Sequence, residues 1–172
     1  AEQRVCAERA AYGYAWRSLR TQGSTLALNS DMAGSDPDIF YGLHAAITRR
    51  NKDRMPPQGW FAEQALSPEE ALRGYTTWNA YAMFAEDKTA MIAPGRWADL
   101  TVMNIDPLQV GEQQPGRLLD GRILMTIVAG KVAYETSGLL GGGRRLHDEA
   151  TQPGAVGAEH IAQHGEKHTH GR

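Results

Sequence analysis

The chain has 172 residues, 41% of them hydrophobic, and carries 18 Lys and Arg against 20 Asp and Glu, a formal charge of −2. This length allows one domain with a packed core, or one and a half, and the charge balance excludes the basic excess that is typical of nucleic-acid-binding proteins. The sequence shows no apolar run long enough to span a bilayer and no signal-peptide pattern. We therefore expect neither nucleic acid nor a membrane as a partner.

The N-terminal third begins with helices and leads into a strand. Apolar residues at helical spacing up to about Gly23 predict two short helices, because Gly13 weakens the middle of the stretch. The single cysteine, Cys6, does not indicate a compartment and is expected to be a small half-buried side chain. Residues 25–29 are a short apolar run bounded by turn residues, which predicts a strand buried on both faces, as in a parallel sheet. Asp31 follows directly after this strand.

Two longer helices are predicted next. Ser35 followed by Asp38 resembles a capping box, with Asp in place of the usual Glu, and predicts a helix that runs to about Arg50. Ser67 and Glu70 form a stronger capping box, with a proline at the first helical position. We expect the second helix to continue over SPEEALRGYTTWNAYAMF.

From residue 85 onward the apolar residues alternate, which is typical of strands. The pattern predicts a strand, a Pro-Gly turn and a strand over TAMIAPGRWADLTVMN, and a hairpin turning at Ala129–Lys131 over RILMTIVAGKVAYE. Because helices give way to antiparallel strands, we place a domain boundary near Ala85. After three glycines at 141–143 the chain is polar and poor in aromatic residues, which predicts a disordered, histidine-rich tail over 137–172.

Four motifs stand along the chain in an order that is specific when taken together. They are LALNSD followed by DP, then AAITRR, then LSPEEALRGYTTWNAYAM, and finally IAPGRWADLTVMNIDPL with RILMTIVAGKVAY. In this order they resemble the C-terminal end of metal-dependent amidohydrolases, most closely the amidohydrolase family 3 group that includes N-substituted formamide deformylases, over about residues 10–135. The resemblance implies an α/β fold. It comprises the last strand and helices of a (β/α)8 metallo-hydrolase barrel (1–84), part of a small β-sandwich (85–136) and the tail.

The resemblance also implies a role for Asp31. Active sites of such barrels gather at the C-terminal ends of the strands, and the family has an aspartate after its last strand. A divalent metal, expected to be zinc in the intact parent protein, lowers the pKa of its bound water, and the hydroxide attacks an amide carbonyl. Asp31 would accept the proton that this water loses, pass it to the leaving nitrogen and also serve as a metal ligand. Without the resemblance, an aspartate at such a position is more often a turn residue or a helix cap.

The chain supplies only a part of such an enzyme. A complete barrel needs about 250 residues and eight strands, and a catalytic zinc site needs about three protein ligands. The family's His-x-His, its bridging Lys or Glu and its two later histidines have no counterpart here, and His44 lies on the apolar stripe of its helix, where we expect it to pack. We therefore expect residues 1–172 alone to be inactive. We also expect them to self-associate through exposed barrel edges.

Five further residues have structural interpretations beside functional ones. Arg49 is expected to form a structural ion pair, with the alternative that it reaches towards the site. Tyr75 and Asn79 are expected to secure their helix to the barrel. Asp99 is expected to bind backbone amides at a strand entrance, and Trp60 either lines a substrate entrance or pins its loop.

Two functions remain open at this point. The first is the C-terminal part of a metal-dependent hydrolase of non-peptide carbon–nitrogen bonds, with a small amide, formamide or cyclic amide as substrate and Asp31 as proton shuttle and metal ligand. The second is a non-enzymatic binding or scaffolding module whose tail, with His160, His164, His168 and His170, binds metal loosely. The enzyme hypothesis predicts exposed apolar surface near Asp31, whereas the module hypothesis predicts a closed core with Asp31 as a cap.

Overall fold

The computed structural model describes residues 4–32, 34–137 and 139, which carry helices and one antiparallel sheet. This mixture confirms a mixed α/β composition, whereas the predicted tail over 137–172 lies outside the described residues except at 137 and 139. The helices are α1 (Ala7–Ala10), α2 (Trp16–Thr21), α3 (Ile39–Thr48), α4 (Pro68–Tyr75), α5 (Thr77–Ala82) and α6 (Pro107–Gln113), with 3₁₀ helices at Ala62–Gln64 and Pro115–Asp120. The strands are β1 (Leu100–Met103), β2 (Ile123–Val128) and β3 (Lys131–Glu135).

The two short helices predicted at the N-terminus are confirmed as α1 and α2. Gly13 lies between them, and Gly23 adopts a left-handed φ of 86° just after α2 ends. The half-buried position expected for Cys6 is wrong, because its side chain is exposed. Exposure follows from its place before α1, where the chain has not yet reached the core.

The strand predicted over 25–29 does not form. These residues make no strand pairing, and a strand exists only where a second strand completes its hydrogen bonds. Leu26 and Leu28 are partly buried, whereas Ala27 is exposed, so exposure alternates along the segment. One face therefore packs on the helices, and burial on both faces, as the apolar run predicted, is not found.

Helix α3 begins at a different cap from the one predicted. Asp38, not Ser35, is the N-cap, and its carboxylate accepts the Phe40 N–H at 2.9 Å. An aspartate immediately before the helix reaches the free amides of the first turn, whereas a serine three residues earlier does not. The helix ends at Thr48, slightly before the predicted limit, because Arg49 takes a left-handed φ of 58°.

Helix α4 begins as predicted, but the long helix is divided. Ser67 accepts from the Glu70 N–H and the Glu70 carboxylate accepts from the Ser67 N–H, which confirms the capping box. The chain leaves helical geometry at Thr76, with φ −129° and ψ −94°, before α5 begins. The Thr76 hydroxyl donates to the Leu72 carbonyl, a back-bond that competes with regular helix continuation.

The C-terminal part of the described chain is a meander rather than the predicted pair of hairpins. The hairpin of β2 and β3 turns at Ala129 and Gly130, both with positive φ, as predicted. The strand predicted over 89–93 is wrong, because that stretch has no strand partner among the described residues. Helix α6, which starts at Asp106–Pro107, was not predicted. A second sheet is not seen in the described residues, and the boundary near Ala85 remains a prediction.

The core lies where α3, α4 and the 3₁₀ helix Pro115–Asp120 meet. Its buried members are aliphatic or small, and partly buried side chains, Leu26 and Leu28 among them, pack against it. No helix in the described part of the chain is long and apolar enough to cross a bilayer. The buried members are Leu43, Ala46, Leu66, Ala71 and Leu118.

Candidate functional site

Asp31 is exposed at the end of the segment that packs on the helices. Its backbone has a left-handed φ of 50°, which is uncommon for residues other than glycine but is tolerated by aspartate and asparagine. Its N–H donates to Asn29 Oδ1 at 2.8 Å, and its carbonyl accepts from Gly34 N–H at 2.8 Å and Ser35 N–H at 3.1 Å. Among the described residues, no hydrogen bond reaches the Asp31 carboxylate, which is therefore neither a helix cap nor part of an ion pair.

Two helices hold the segment that delivers Asp31. The Leu28 N–H donates to the Gly74 carbonyl at 3.0 Å, and Asn79 Nδ2 donates to the Leu28 carbonyl at 2.8 Å. Gly74 is required by this contact, since a Cβ there would come within 2.7 Å of the Leu28 side chain. Asn79 thus secures its helix to the segment 24–29. Through Leu28, α4 and α5 set the position of the backbone that leads to Asp31.

The loop after Asp31 is closed by an ion pair. Lys52 donates to the Asp36 carboxylate and also lies over the Tyr41 ring, 5.1 Å from its centroid. The hydrogen bond from Lys52 lowers the pKa of Asp36, and the same bond raises the pKa of Lys52. Both side chains are well exposed, so the pair restrains the loop more than it stabilises the fold.

The described residues do not complete a metal site by themselves. No group of three or more His, Cys, Asp or Glu side chains gathers in residues 4–32, 34–137 and 139. A catalytic zinc ion takes about three protein ligands and one open position. Asp31 offers one carboxylate, so the donor set present here fits a single ligand of such an ion and not the whole site.

His44 is a packing residue, as predicted. Its side chain is fully buried in α3, with Nδ1 donating to the Pro115 carbonyl at 3.0 Å and Nε2 3.3 Å from Thr48 Oγ1. Both ring nitrogens therefore have partners within the chain, and the ring joins α3 to the 3₁₀ helix Pro115–Asp120. A ring in this position is not free to bind a metal.

Arg49 does not form the predicted ion pair with any of the described residues. Its guanidinium lies over two indole rings, 4.6 Å from the Trp16 centroid and 5.1 Å from the Trp60 centroid, and Nε donates to the Trp60 carbonyl at 3.0 Å. Only 7% of the residue is exposed, and burial lowers its pKa. Within the described part of the chain Nη2 has no hydrogen-bond partner. Cation–π contact thus replaces the carboxylate that the sequence led us to expect.

Comparison with protein-family models decides the ancestry of this arrangement. The model described as the amidohydrolase family matches residues 1–134. The chain belongs to the amidohydrolase family. A relative in Bacillus subtilis (strain 168), named "Putative amidohydrolase YtcJ", is 28% identical over 134 residues, which cover 78% of this chain and 25% of the relative. The chain thus spans about a quarter of the length of that relative, and no solved structure matches it significantly.

The remaining predicted residues of this amidohydrolase chain have structural contacts. Tyr75 is half-buried against Gly42, where no Cβ would fit, and burial raises the pKa of its hydroxyl. Asp99 accepts from the Ala129 N–H at 2.8 Å and so binds the hairpin turn beside β1, as expected. Trp60 makes edge-to-face contacts with Tyr14 and Phe61, at centroid distances of 6.0 and 4.7 Å. These contacts favour the hypothesis that Trp60 pins its loop over the hypothesis that it lines a substrate entrance.

One residue beside Asp31 was missed from the sequence. Asn29 provides the side-chain oxygen that binds the Asp31 amide. An asparagine two residues before an aspartate, just after an apolar run, is a signal for a turn closed by the asparagine side chain. This signal is present in LALNSD.

Proposed function

We propose that this chain is the C-terminal part of a metal-dependent hydrolase of non-peptide carbon–nitrogen bonds, with Asp31 in its active site. Membership of the amidohydrolase family supports hydrolase chemistry in general. The observation that carries the assignment is the Asp31 carboxylate, which is exposed and has no hydrogen-bond partner in the described residues although its backbone is held by three hydrogen bonds. A carboxylate that is unpaired and extends from a fixed backbone is available to a substrate.

Asp31 would move a proton in this reaction. A water molecule that attacks an amide carbonyl must lose a proton, and the leaving nitrogen must gain one. A single carboxylate can accept the first proton and donate it to the nitrogen, provided that it lies within hydrogen-bond reach of both. The loop from Asp31 to Asp38, restrained by Lys52, would keep that reach constant.

The intact protein would hold a divalent metal, which we propose to be zinc, with Asp31 as one ligand. Such an ion supplies a water with a pKa near neutrality. The other ligands would come from elsewhere in the intact protein, because no group of three or more His, Cys, Asp or Glu side chains gathers in the described residues. For this reason we propose that residues 1–172 alone are inactive.

The proposed substrate is a small molecule with an amide, formamide or cyclic amide group. We propose further that residues 1–84 are the last strand and helices of a (β/α)8 barrel and that residues 85–136 are part of a β-sandwich. The segment 25–29 supports the first assignment, because it packs one face on the helices and has no strand partner among the described residues. The sheet of β1, β2 and β3 supports the second.

The decisive experiment begins with the coding DNA upstream of Ala1. An in-frame extension with a His-x-His after an early strand would allow the full-length protein to be purified, analysed for bound metal and assayed on a panel of N-formyl and N-acyl amines and cyclic amides. We expect Asp31→Asn to lower kcat/KM by about 100-fold or more. Asp53→Asn, which removes an exposed carboxylate outside this loop, is the control and should change kcat/KM by no more than a few fold.

Two results would contradict the proposal. Full activity of Asp31→Asn would remove Asp31 from the chemistry. A start codon at Ala1, with no extension, would leave one candidate ligand and favour the alternative, a non-enzymatic binding module with a loosely metal-binding histidine tail. That alternative is supported by four histidines between positions 160 and 170, which lie outside the described residues.

A further inference from the structure

The turn that carries Asp31 is closed by one side chain. Asn29 Oδ1 accepts the Asp31 N–H at 2.8 Å, which is a short and direct hydrogen bond. The Asn29 backbone itself continues from Leu28, whose N–H and carbonyl are both bound to the helices. Leu28 is therefore the last residue whose backbone is bound to the helices before the chain turns, and the Asn29 side chain spans the turn.

The backbone of Asp31 needs this support. A left-handed φ of 50° is unfavourable for a residue with a side chain, and it persists where surrounding contacts hold it. Three hydrogen bonds do so, one from the amide to Asn29 and two to the carbonyl from Gly34 and Ser35. The bond to Asn29 is the one that depends on a side chain.

The backbone of Asp31 sets the direction in which its side chain leaves the main chain. In the described residues no hydrogen bond reaches the carboxylate, so the turn held by Asn29 fixes the Cα–Cβ bond and leaves the side-chain torsions free to adapt to a substrate. Gly34 lies beside the carboxylate, and a Cβ at that position would come within 3.3 Å of Oδ2. Glycine thus leaves the side of the carboxylate open.

We propose that Asn29 is a positioning residue for Asp31, whose side-chain oxygen holds the left-handed turn that aims the carboxylate at the substrate. This inference rests on the proposed function, since it gives Asn29 a role through Asp31. The Asn29–Asp31 bond is exposed to solvent and spans two residues, so it adds little to global stability. Its loss should therefore affect turnover and not folding.

The test uses the full-length protein with three substitutions. Asn29→Ala removes the acceptor, Asn29→Ser offers a neutral hydroxyl oxygen that closes such turns more weakly, and Asn104→Ala is the control. Asn104 Oδ1 also accepts a backbone N–H, that of Arg122 at 2.6 Å, but away from the loop. The measurements are kcat, KM, the urea unfolding midpoint and hydrogen exchange of peptides that cover residues 24–35.

We expect Asn29→Ala to lower kcat by about 10- to 100-fold, which is the scale for a misplaced catalytic group. KM and the unfolding midpoint should stay near the parent values, exchange should increase over residues 29–35, and Asn29→Ser should recover part of kcat. Asn104→Ala should leave kcat within twofold. A kcat that decreases from the parent to Asn29→Ser to Asn29→Ala, at an unchanged unfolding midpoint, separates a positioning role from a purely structural one.

Three results would overturn the inference. They are a kcat of Asn29→Ala within twofold of the parent, a kcat of Asn29→Ser no higher than that of Asn29→Ala, and a fall in kcat that follows the unfolding midpoint in all variants. Asp31→Asn separates this failure from that of the proposed function. If Asp31→Asn is inactive while Asn29→Ala is fully active, only the positioning role fails; if Asp31→Asn is fully active, both fail.

Discussion

Asn79 in α5 donates a hydrogen bond from Nδ2 to the main-chain carbonyl of Leu28, fifty-one residues earlier, at 2.8 Å. The main-chain N–H of Leu28 donates to the Gly74 carbonyl in α4. Leu28 is thus bound on both of its backbone groups by elements that come much later in the chain. Asp31, three residues beyond, inherits its position from this contact.

Replacing Asn79 should loosen the segment that carries Asp31. Asn79→Asp keeps the shape of the side chain but has no N–H donor when ionised, so the Leu28 carbonyl loses its partner and faces a negative charge. We expect the free energy of unfolding to fall by about 1–3 kcal/mol, measured by urea denaturation at concentrations where the protein is monomeric. Asn104→Asp keeps an oxygen acceptor for the Arg122 N–H, so its free energy of unfolding should fall by less. Equal stability of Asn79→Asp and the parent would contradict the contact.

Glu70 should make stability depend on acid pH. Burial opposes its ionisation, but hydrogen bonds from Arg17 and from the Ser67 backbone outweigh burial and lower its pKa from 4.5 to about 2. Arg17 Nη2 donates to Oε2 at 2.7 Å and Nη1 to Oε1 at 3.0 Å. Because the folded pKa lies below the unfolded one, this contribution is present above pH 4.5 and is lost as the pH falls towards 2.

Glu70→Gln therefore lowers the free energy of unfolding at pH 7 by about 1 kcal/mol, an amount limited by the partial exposure of Arg17. Its difference from the parent should shrink between pH 4.5 and pH 2, as measured by thermal unfolding at several pH values. Glu69→Gln, which breaks the exposed pair with Arg73, is the control and should have little effect. A difference that stays constant across this pH range would exclude the ion pair as its cause.

His44 should matter for stability and not for metal. His44→Leu fills a similar volume but leaves the partly buried Pro115 carbonyl without its donor, so the free energy of unfolding should fall by about 1–3 kcal/mol. The metal content of the full-length protein should remain that of the parent, whereas Asp31→Asn should reduce it. Loss of metal in a folded His44→Leu protein would overturn the assignment of His44 to packing.

The chain expressed alone should self-associate through the segment 24–29. Ala27 is exposed, and the backbone groups other than those of Leu28, which are bound to α4 and α5, lack a strand partner among the described residues. This favours pairing with a second copy. Ala27→Lys places a charge on this face and should shift the equilibrium towards monomer in sedimentation velocity experiments. Ala82→Lys adds the same charge at the exposed end of α5 and should not. A monodisperse parent monomer with a cooperative thermal transition would count against the fragment hypothesis.

Local signals in the sequence predicted local structure well. Ser67, Pro68 and Glu70 lie within four residues and specified the start of α4 without help from the rest of the fold. The hairpin at Ala129 and Gly130 was predicted for the same reason. Asp106–Pro107 is a comparable signal for the start of α6, although that helix was not predicted.

Features that depend on distant partners were not predictable in this way. The apolar run 25–29 has the composition of a buried strand, yet a strand requires a neighbour that the described residues do not supply. The prediction for Arg49 was wrong for a similar reason, because its partners Trp16 and Trp60 lie 33 and 11 positions away in the sequence. For the candidate site, the role of Asp31 stays a prediction from the sequence, and Asn29, whose side chain binds the Asp31 backbone, was not predicted.

The stack of Arg49 on Trp16 and Trp60 also gives the protein a built-in optical reporter. Two of the four tryptophans share one cation, and one of them begins α2 while the other lies in the loop before the 3₁₀ helix Ala62–Gln64. Indole emission depends on nearby charge and water, so separation of α2 from the core would change the fluorescence spectrum before the rest of the fold melts. The fluorescence of Trp16 and Trp60 would thus report whether α2 remains in contact with the rest of the described fold.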